Sequence, residues 1–176
     1  MNKQRNPTLE ETLFPHGTDI EDRDFLDLLL EEYKLFVATS ERLVERRQKM
    51  NAFFLSVNAL LVSAIGLVTK GTIVLEIAVT AVVSILVSGV IMCIAWRRLV
   101  RSYAQLNTGK FEVIDEIENY LPAALFRTEW KALGKGSDKR KYMSSTKTEA
   151  AVPIVFILLY ILSSVAALLW MLILRS

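Results

Sequence analysis

Three long apolar stretches constrain the fold of this chain more than any other feature of its sequence. They cover residues 52–68, 73–95 and 152–174, and the mean hydropathy of the whole chain is +0.34. The hydrocarbon layer of a bilayer is about 30 Å thick, which a helix of roughly 20 apolar residues can cross. The remaining polar residues are too few to cover three such helices in water. The sequence therefore predicts an all-α membrane protein with transmembrane helices at 52–69, 72–96 and 152–174.

Lysine and arginine are unevenly distributed around these predicted helices. Residues 1–50 hold 8 of them and residues 97–151 hold 11, whereas the loop after the first helix has only Lys70 and the C-terminal end only Arg175. Short flanks rich in Lys and Arg stay on the cytoplasmic side of a membrane. We therefore expect the N-terminus and residues 97–151 to be cytoplasmic and the C-terminus to lie on the other side. Six cations are candidates for contact with lipid headgroups, anionic ones included: Arg97, Arg98, Arg101, Lys139, Arg140 and Lys141.

The chain outside the apolar stretches divides into four segments. We predict a polar tail at 1–20, an amphipathic helix at 21–51, a helical segment at 97–133 and a basic linker at 134–151. Apolar residues recur at helical spacing in the second and third of these segments. No Pro or Gly separates the amphipathic helix from the first transmembrane helix. The two can therefore form one continuous helix, so long cytoplasmic helical extensions are expected.

Both extensions carry an apolar face that needs a partner. Ser40 and Arg47 interrupt a weak heptad repeat in the first extension, and the apolar stripe of the second is interrupted at Thr108-Gly109 and stops at Pro122. The simplest arrangement packs the two extensions together. Such a pair buries only a modest core, so we expect homo-oligomerisation. In the heptad repeat of the first extension, one seam position is held by Leu29, Phe36, Leu43 and Met50. The other seam position is held by Leu26 and Tyr33 and is then broken by Ser40 and Arg47.

Five polar residues inside the apolar stretches are candidates for a pore or a helix interface. Glu76 lies near the end of the second helix, where a carboxylate either reaches water or contributes to a charged ring at a pore mouth. Asn58 either hydrogen-bonds to a neighbouring helix or lines a wet path. Thr80, Ser84 and Ser88 form a stripe at four-residue spacing. The stripe suits a close helix contact, with a polar pore lining as the alternative.

The sequence contains no constellation that indicates catalysis. It lacks the nucleotide-binding, zinc-protease, hydrolase and calcium-loop motifs. One Cys and one His exclude a zinc site built from those residues within one chain. Asp115 and Glu118 share a helix face and could hold a hard cation, although a solvated face is more common. We therefore expect no enzyme, no cofactor, no metal site and no nucleic-acid partner.

The segment after the second helix carries a recognisable pattern. The pattern consists of Trp96, Tyr103, Asn107, Lys110, Phe111, Glu118, Pro122, Glu129 and Trp130. Following a two-span hairpin and preceding a third span, it resembles the bacterial RipA-type octameric membrane protein family. It is also similar to SLATT two-span domains, which are proposed membrane effectors of bacterial conflict systems. The resemblance implies a homo-oligomer of the bacterial inner membrane, with eight copies as the expected number, and no established enzymatic activity.

The same residues suggest how copies assemble. Asn107 and Lys110 lie one turn apart and could pair with an acid of a neighbouring helix, for example Glu118. After a turn at Pro122, Trp130 and its neighbour Glu129 are expected to fold back towards the membrane surface. Two functions fit this organisation. The first is a self-assembling scaffold or organiser, and the second is a gated pore or channel of the SLATT-like effector type.

Overall fold

The computed structural model describes residues 7–70, 74–137, 140 and 145–173, and this part of the chain is helical without strands. Three of the helices are long and apolar enough to cross a membrane. The all-α fold with three candidate spans is therefore confirmed. The helices are α1 (Leu9–Leu13), α2 (Arg23–Lys70), α3 (Leu75–Ile117), α4 (Leu125–Ala132) and α5 (Ser145–Ile173).

Two of these helices are longer than any single predicted segment. Helix α2 runs without a break from Arg23 to Lys70, and the Asp22 carboxylate accepts a hydrogen bond from the Asp24 N–H at its start. Helix α3 continues through Gly109 to Ile117. The interruption of the apolar stripe at Thr108-Gly109 does not break the helix, because one glycine costs a helix only about 1 kcal/mol.

The chain forms two compact units, and α2 and α3 contribute to both. We call Met1–Val44 with Gln105–Met143 the polar unit, and Glu45–Ala104 with Ser144–Ser176 the apolar unit. In the polar unit, the expected packing of the two amphipathic extensions is confirmed, because Leu29 and Tyr33 of α2 share one buried core with side chains of α3. The buried α3 side chains are Ile114 and Ile117.

The core of the apolar unit brings α2, α3 and α5 together. Ile65, Val82 and Tyr160 are buried there, one from each helix. Gly89 lets α5 approach α3 closely, because a Cβ built on it would lie closer than 3.0 Å to three atoms of the Tyr160 ring. A small residue at this point therefore sets the distance between two membrane helices.

The polar residues that interrupt the heptad repeat of α2 nevertheless lie on its packed face. Ser40 is only 7% exposed, and Arg47 is half-buried beside Glu149 of α5. Both keep the spacing of the neighbouring buried residues Leu43 and Phe54. Ser40 donates to the Phe36 carbonyl of the same helix, and Arg47 pairs with Glu149 of α5.

Candidate functional site

Asn58 is the centre of a buried polar cluster in the apolar unit. Its Nδ2 donates to the Phe54 carbonyl at 2.7 Å. Its Oδ1 accepts hydrogen bonds from the Tyr160 hydroxyl at 2.9 Å and from the Cys93 thiol at 3.2 Å. These residues belong to α2, α3 and α5, so one amide links three helices. Interhelical bonds of this kind are worth about 0.6–2 kcal/mol each in a membrane, and this arrangement favours a packing role for Asn58.

A second cluster lies two turns earlier on the same face of α2. Asn51 Oδ1 accepts a hydrogen bond from the Trp96 indole N–H at 2.8 Å. Its Nδ2 donates to Glu149 Oε2 at 2.9 Å, and the same carboxylate oxygen lies 3.4 Å from Arg47 Nε. The Trp96 ring stacks on Phe54, with centroids 5.6 Å apart and 8° between the planes. This cluster joins the start of α5 to α2 and α3 through charge and aromatic stacking.

Sequence reasoning missed Asn51, Arg47 and Glu149 as partners. Polar residues beside an apolar stretch are usually solvated, so each one alone carries no signal. A signal did exist in the spacing, because Arg47, Asn51 and Asn58 share the face of α2 that also holds Phe54. The position of Glu149 relative to α2 depends on how α5 is packed, and no local pattern contains that information.

Glu118 organises the core of the polar unit. It is 2% exposed, and its Oε1 accepts hydrogen bonds from the Tyr33 hydroxyl at 3.1 Å and from the Phe126 N–H at 2.8 Å. Its Oε2 accepts from the Arg127 N–H at 3.0 Å. Helix α4 has no side-chain cap of its own at Ala124. The Glu118 carboxylate therefore satisfies two amides that the helix start leaves free, where negative charge is favourable.

Two further polar contacts tie the elements of the polar unit together. Arg127 Nε lies 2.5 Å from Asp115 Oδ1, and the Asp115 hydrogen bond raises the pKa of the guanidinium. The Tyr120 hydroxyl donates to Glu10 Oε1 at 2.6 Å, and this bond is the main reason why its pKa rises to about 12. Asp115 therefore binds the Arg127 guanidinium, whereas Glu118 accepts hydrogen bonds from the backbone amides at the start of α4.

Lys110 has partners on α2 of its own chain. Its Nζ donates to Thr39 Oγ1 at 2.5 Å and lies 4.4 Å from the centroid of the Phe36 ring, as in a cation–π contact. Both Glu118 oxygens accept hydrogen bonds from Tyr33 and the α4 amides. The expected pairing of Lys110 with an acid of a neighbouring helix in the assembly stays a prediction.

The other residues of the candidate assembly pattern divide by burial. Trp96 is buried, and Tyr103 and Asn107 are half-buried. Helix α4 follows the turn at Pro122. A Cβ built on Gly136 would lie 2.9 Å from the Trp130 ring of this helix. Gly136 has φ +70°, which an L side chain rarely adopts. The members of the pattern that face outwards are Phe111, Pro122, Glu129 and Trp130.

The candidate pore residues lie apart from Asn58 and face outwards. Glu76, Thr80 and Ser84 line an open groove on α3 together with Ile77 and Ala81. The Thr80 hydroxyl donates to the Glu76 carbonyl at 2.7 Å, and the Ser84 hydroxyl donates to the Thr80 carbonyl at 2.8 Å. Ser88 is also exposed. The stripe is therefore absent from the packed core of the chain and is available to a lipid, to water or to another copy.

The candidate lipid-facing cations that the structure describes are exposed with one exception. Arg98, Arg101 and Arg140 are exposed, whereas Arg97 is half-buried. Lys139 and Lys141, like the predicted helix ends at 72 and 174, lie outside the described residues. Within the described part of the chain, no group of three His, Cys, Asp or Glu side chains could hold a metal ion.

Comparison with known proteins places this arrangement of helices in a family. No curated protein and no solved structure is significantly similar to the chain. The sequence profile of one family, described as "Octameric membrane protein family (8xMP)", matches residues 30–174. The match includes the Asn58 and Glu118 clusters and all three apolar stretches. The chain belongs to the octameric membrane protein family.

Proposed function

We propose that this chain is a self-assembling scaffold of the bacterial inner membrane that has no catalytic activity. The observation that carries the proposal is the apolar surface of the polar unit, which a single chain leaves uncovered. Leu28 is 60% exposed and Leu35 is 68% exposed, one heptad apart on α2. Leu106 and Leu125 are exposed in the same unit. Large exposed apolar side chains outside the bilayer can mark an interaction site, and the family description supports other copies as the partner.

The buried polar clusters favour a scaffold over an enzyme or a channel. Asn58 and Glu118 have their oxygens occupied by partners of the same chain. A satisfied polar network fixes one packing of the helices and leaves no group for a substrate. Such a rigid unit suits repeated assembly around an axis.

The mass of the full chain in detergent tests this proposal. The wild-type chain should run as one homo-oligomer, and Leu28→Ser combined with Leu35→Ser should shift it to smaller species. Asp27→Ser is the matched control, because Asp27 is exposed on the same helix but polar. A wild-type chain that stays a single copy would refute self-assembly. An unchanged mass for the double variant would refute the role of this surface.

The orientation that we propose places the N-terminus and residues 97–151 in the cytoplasm and the C-terminus in the periplasm. It rests on the Lys and Arg bias of the short flanks. Single cysteines at positions 98 and 176, in a Cys93→Ser background, should react with an impermeant maleimide from opposite sides of the membrane. Labelling of both positions from one side would contradict it.

The alternative is a gated pore of the SLATT-like effector type, and one observation favours it. Glu76, Thr80 and Ser84 lie in an open groove, beside Ile77 and Ala81, that faces away from the chain's own core. Eight such grooves around an axis would place a ring of carboxylates at a pore mouth. Cation flux from liposomes that is lost on Glu76→Ala and kept on Glu129→Ala would favour the pore. Absence of wild-type flux would rule against it.

A further inference from the structure

We propose that the outward face of α3 in the apolar unit binds an anionic phospholipid. The phosphate would lie on Arg98 and Arg101, and an acyl chain would lie along the apolar residues that precede them on the same face. Those residues are Val87, Ile91 and Ile94. This binding site is separate from the assembly surface of the polar unit and does not depend on it.

The five residues share one side of the helix. At 100° per residue, they point away from the packed side that holds Gly89 and Cys93. All five are exposed, and the apolar members are 47–61% exposed. The rise from Val87 to Arg98 is about 16 Å at 1.5 Å per residue. One leaflet of hydrocarbon is about 15 Å thick, so this face has the length of one lipid chain below one headgroup.

The charge on this face is not neutralised by the protein. Arg47 pairs with Glu149, and Lys49 pairs with Glu45 at 2.6 Å, so those cations already have carboxylate partners. Among the described residues, no carboxylate pairs with Arg98 or Arg101, and no acid lies within a helical turn of either of them. A guanidinium matches the geometry of phosphate oxygens with two parallel hydrogen bonds. An anionic headgroup would therefore neutralise the positive charge of this face.

The apolar residues distinguish a lipid from a free phosphate ion. A phosphate ion would gain only the two arginines, and exposed ion pairs in water contribute little. A phospholipid also covers Val87, Ile91 and Ile94, whose exposed side chains match a hydrocarbon chain. The proposed ligand is therefore a phospholipid of the leaflet next to Arg98.

The lipids that remain on the full chain test the site. Wild type, Arg98→Gln/Arg101→Gln and the control Lys49→Gln would be reconstituted in equal parts of phosphatidylglycerol and phosphatidylcholine, extracted gently, and their bound lipids counted by mass spectrometry. Wild type should retain phosphatidylglycerol preferentially. Each lost arginine should reduce the preference about fivefold, the equivalent of about 1 kcal/mol for a cation near an anionic surface. Lys49→Gln should change little, because Glu45 already neutralises Lys49.

Further arms separate this proposal from the assembly proposal. The oligomeric mass of the arginine variant should stay that of wild type while its phosphatidylglycerol is lost. Ile91→Ser/Ile94→Ser should weaken retention of the lipid, whereas inorganic phosphate should not displace it. Equal retention of both lipids by wild type would overturn the site. So would an arginine variant that keeps its phosphatidylglycerol, or one that loses its mass but not its lipid.

Discussion

One glycine determines how closely α5 packs on α3, while another is merely tolerated. Gly89 faces the Tyr160 ring with no room for a methyl group, whereas a Cβ on Gly109 meets nothing within 4 Å. Gly89→Ala should therefore lower the stability of the full chain by about 1–3 kcal/mol, as overpacking does. Gly109→Ala should raise it by about 0.5–1 kcal/mol through helix propensity.

Both variants would be melted thermally in the same detergent, with helix content monitored by circular dichroism. The comparison places the same Gly→Ala substitution at two positions of α3. Gly89→Ala that melts at or above the wild-type temperature would mean that Tyr160 does not lie against Gly89. A fall for Gly109→Ala would show instead that this open position is covered by another copy.

The buried Tyr33 hydroxyl makes the polar unit sensitive to alkaline pH. Burial and then its bond to Glu118 raise the Tyr33 pKa to about 12, from about 10 in the unfolded chain. Because the folded state holds this proton more tightly, its stabilising effect is complete below about pH 10 and is lost as pH rises towards 12. Chemical unfolding across this range should show the loss. Tyr33→Phe should reduce the pH dependence of the stability more than Tyr120→Phe does, since Tyr120 bonds to the exposed Glu10. An equal pH dependence in wild type and both variants would contradict the role given to Tyr33.

At the scale of helices, the sequence predicts the features that depend on composition. It does not predict side-chain contacts between residues that lie far apart in the chain. The presence of three helices able to cross a membrane follows from apolar length, because the bilayer requires it. Helix α3 continues past the interruption of its apolar stripe at Gly109, since one glycine costs a helix only about 1 kcal/mol. The partners of Glu118 lie 85 residues away at Tyr33 and across a turn in α4, and those of Asn51 depend on the register of α5. Local spacing contains none of these distances.

The attachment of α5 to the other apolar helices should depend on Asn51. Asn51→Leu removes the acceptor of the buried Trp96 N–H and the donor to Glu149. An unpaired buried donor costs about 1–3 kcal/mol. Hydrogen exchange should therefore rise at the start of α5, around Glu149, while the middle of α3 stays protected. Gln48→Leu, an exposed neighbour on α2, is the control; equal protection in both variants would show that Asn51 does not hold α5.

At the scale of the whole molecule, membership of an octameric family gives the exposed apolar side chains a natural partner. A single chain packs one seam of α2 and α3 and leaves Leu28, Leu35 and Leu106 uncovered. The number of copies cannot be predicted from these residues, because it depends on the angle between chains. Burial within one chain shows only which residues are already occupied. Glu118 and Asn58 already have hydrogen-bond partners within one copy, so we expect contacts between copies to use other residues.

Trp130 is the strongest candidate for such a contact among the residues of the recurring pattern. It is 47% exposed on α4, where a large aromatic ring gains most from a neighbouring surface. Trp130→Ala should lower the mass of the detergent-solubilised oligomer, and Asn107→Ala should do so less because Asn107 is half-buried within its own chain. Lys131→Ala controls for disturbance of α4, because Lys131 is the exposed and charged neighbour of Trp130 on that helix. Trp130 also packs near Gly136, so circular dichroism of each variant must show intact helix. A folded Trp130→Ala chain with the wild-type mass would mean that α4 lies outside the interface.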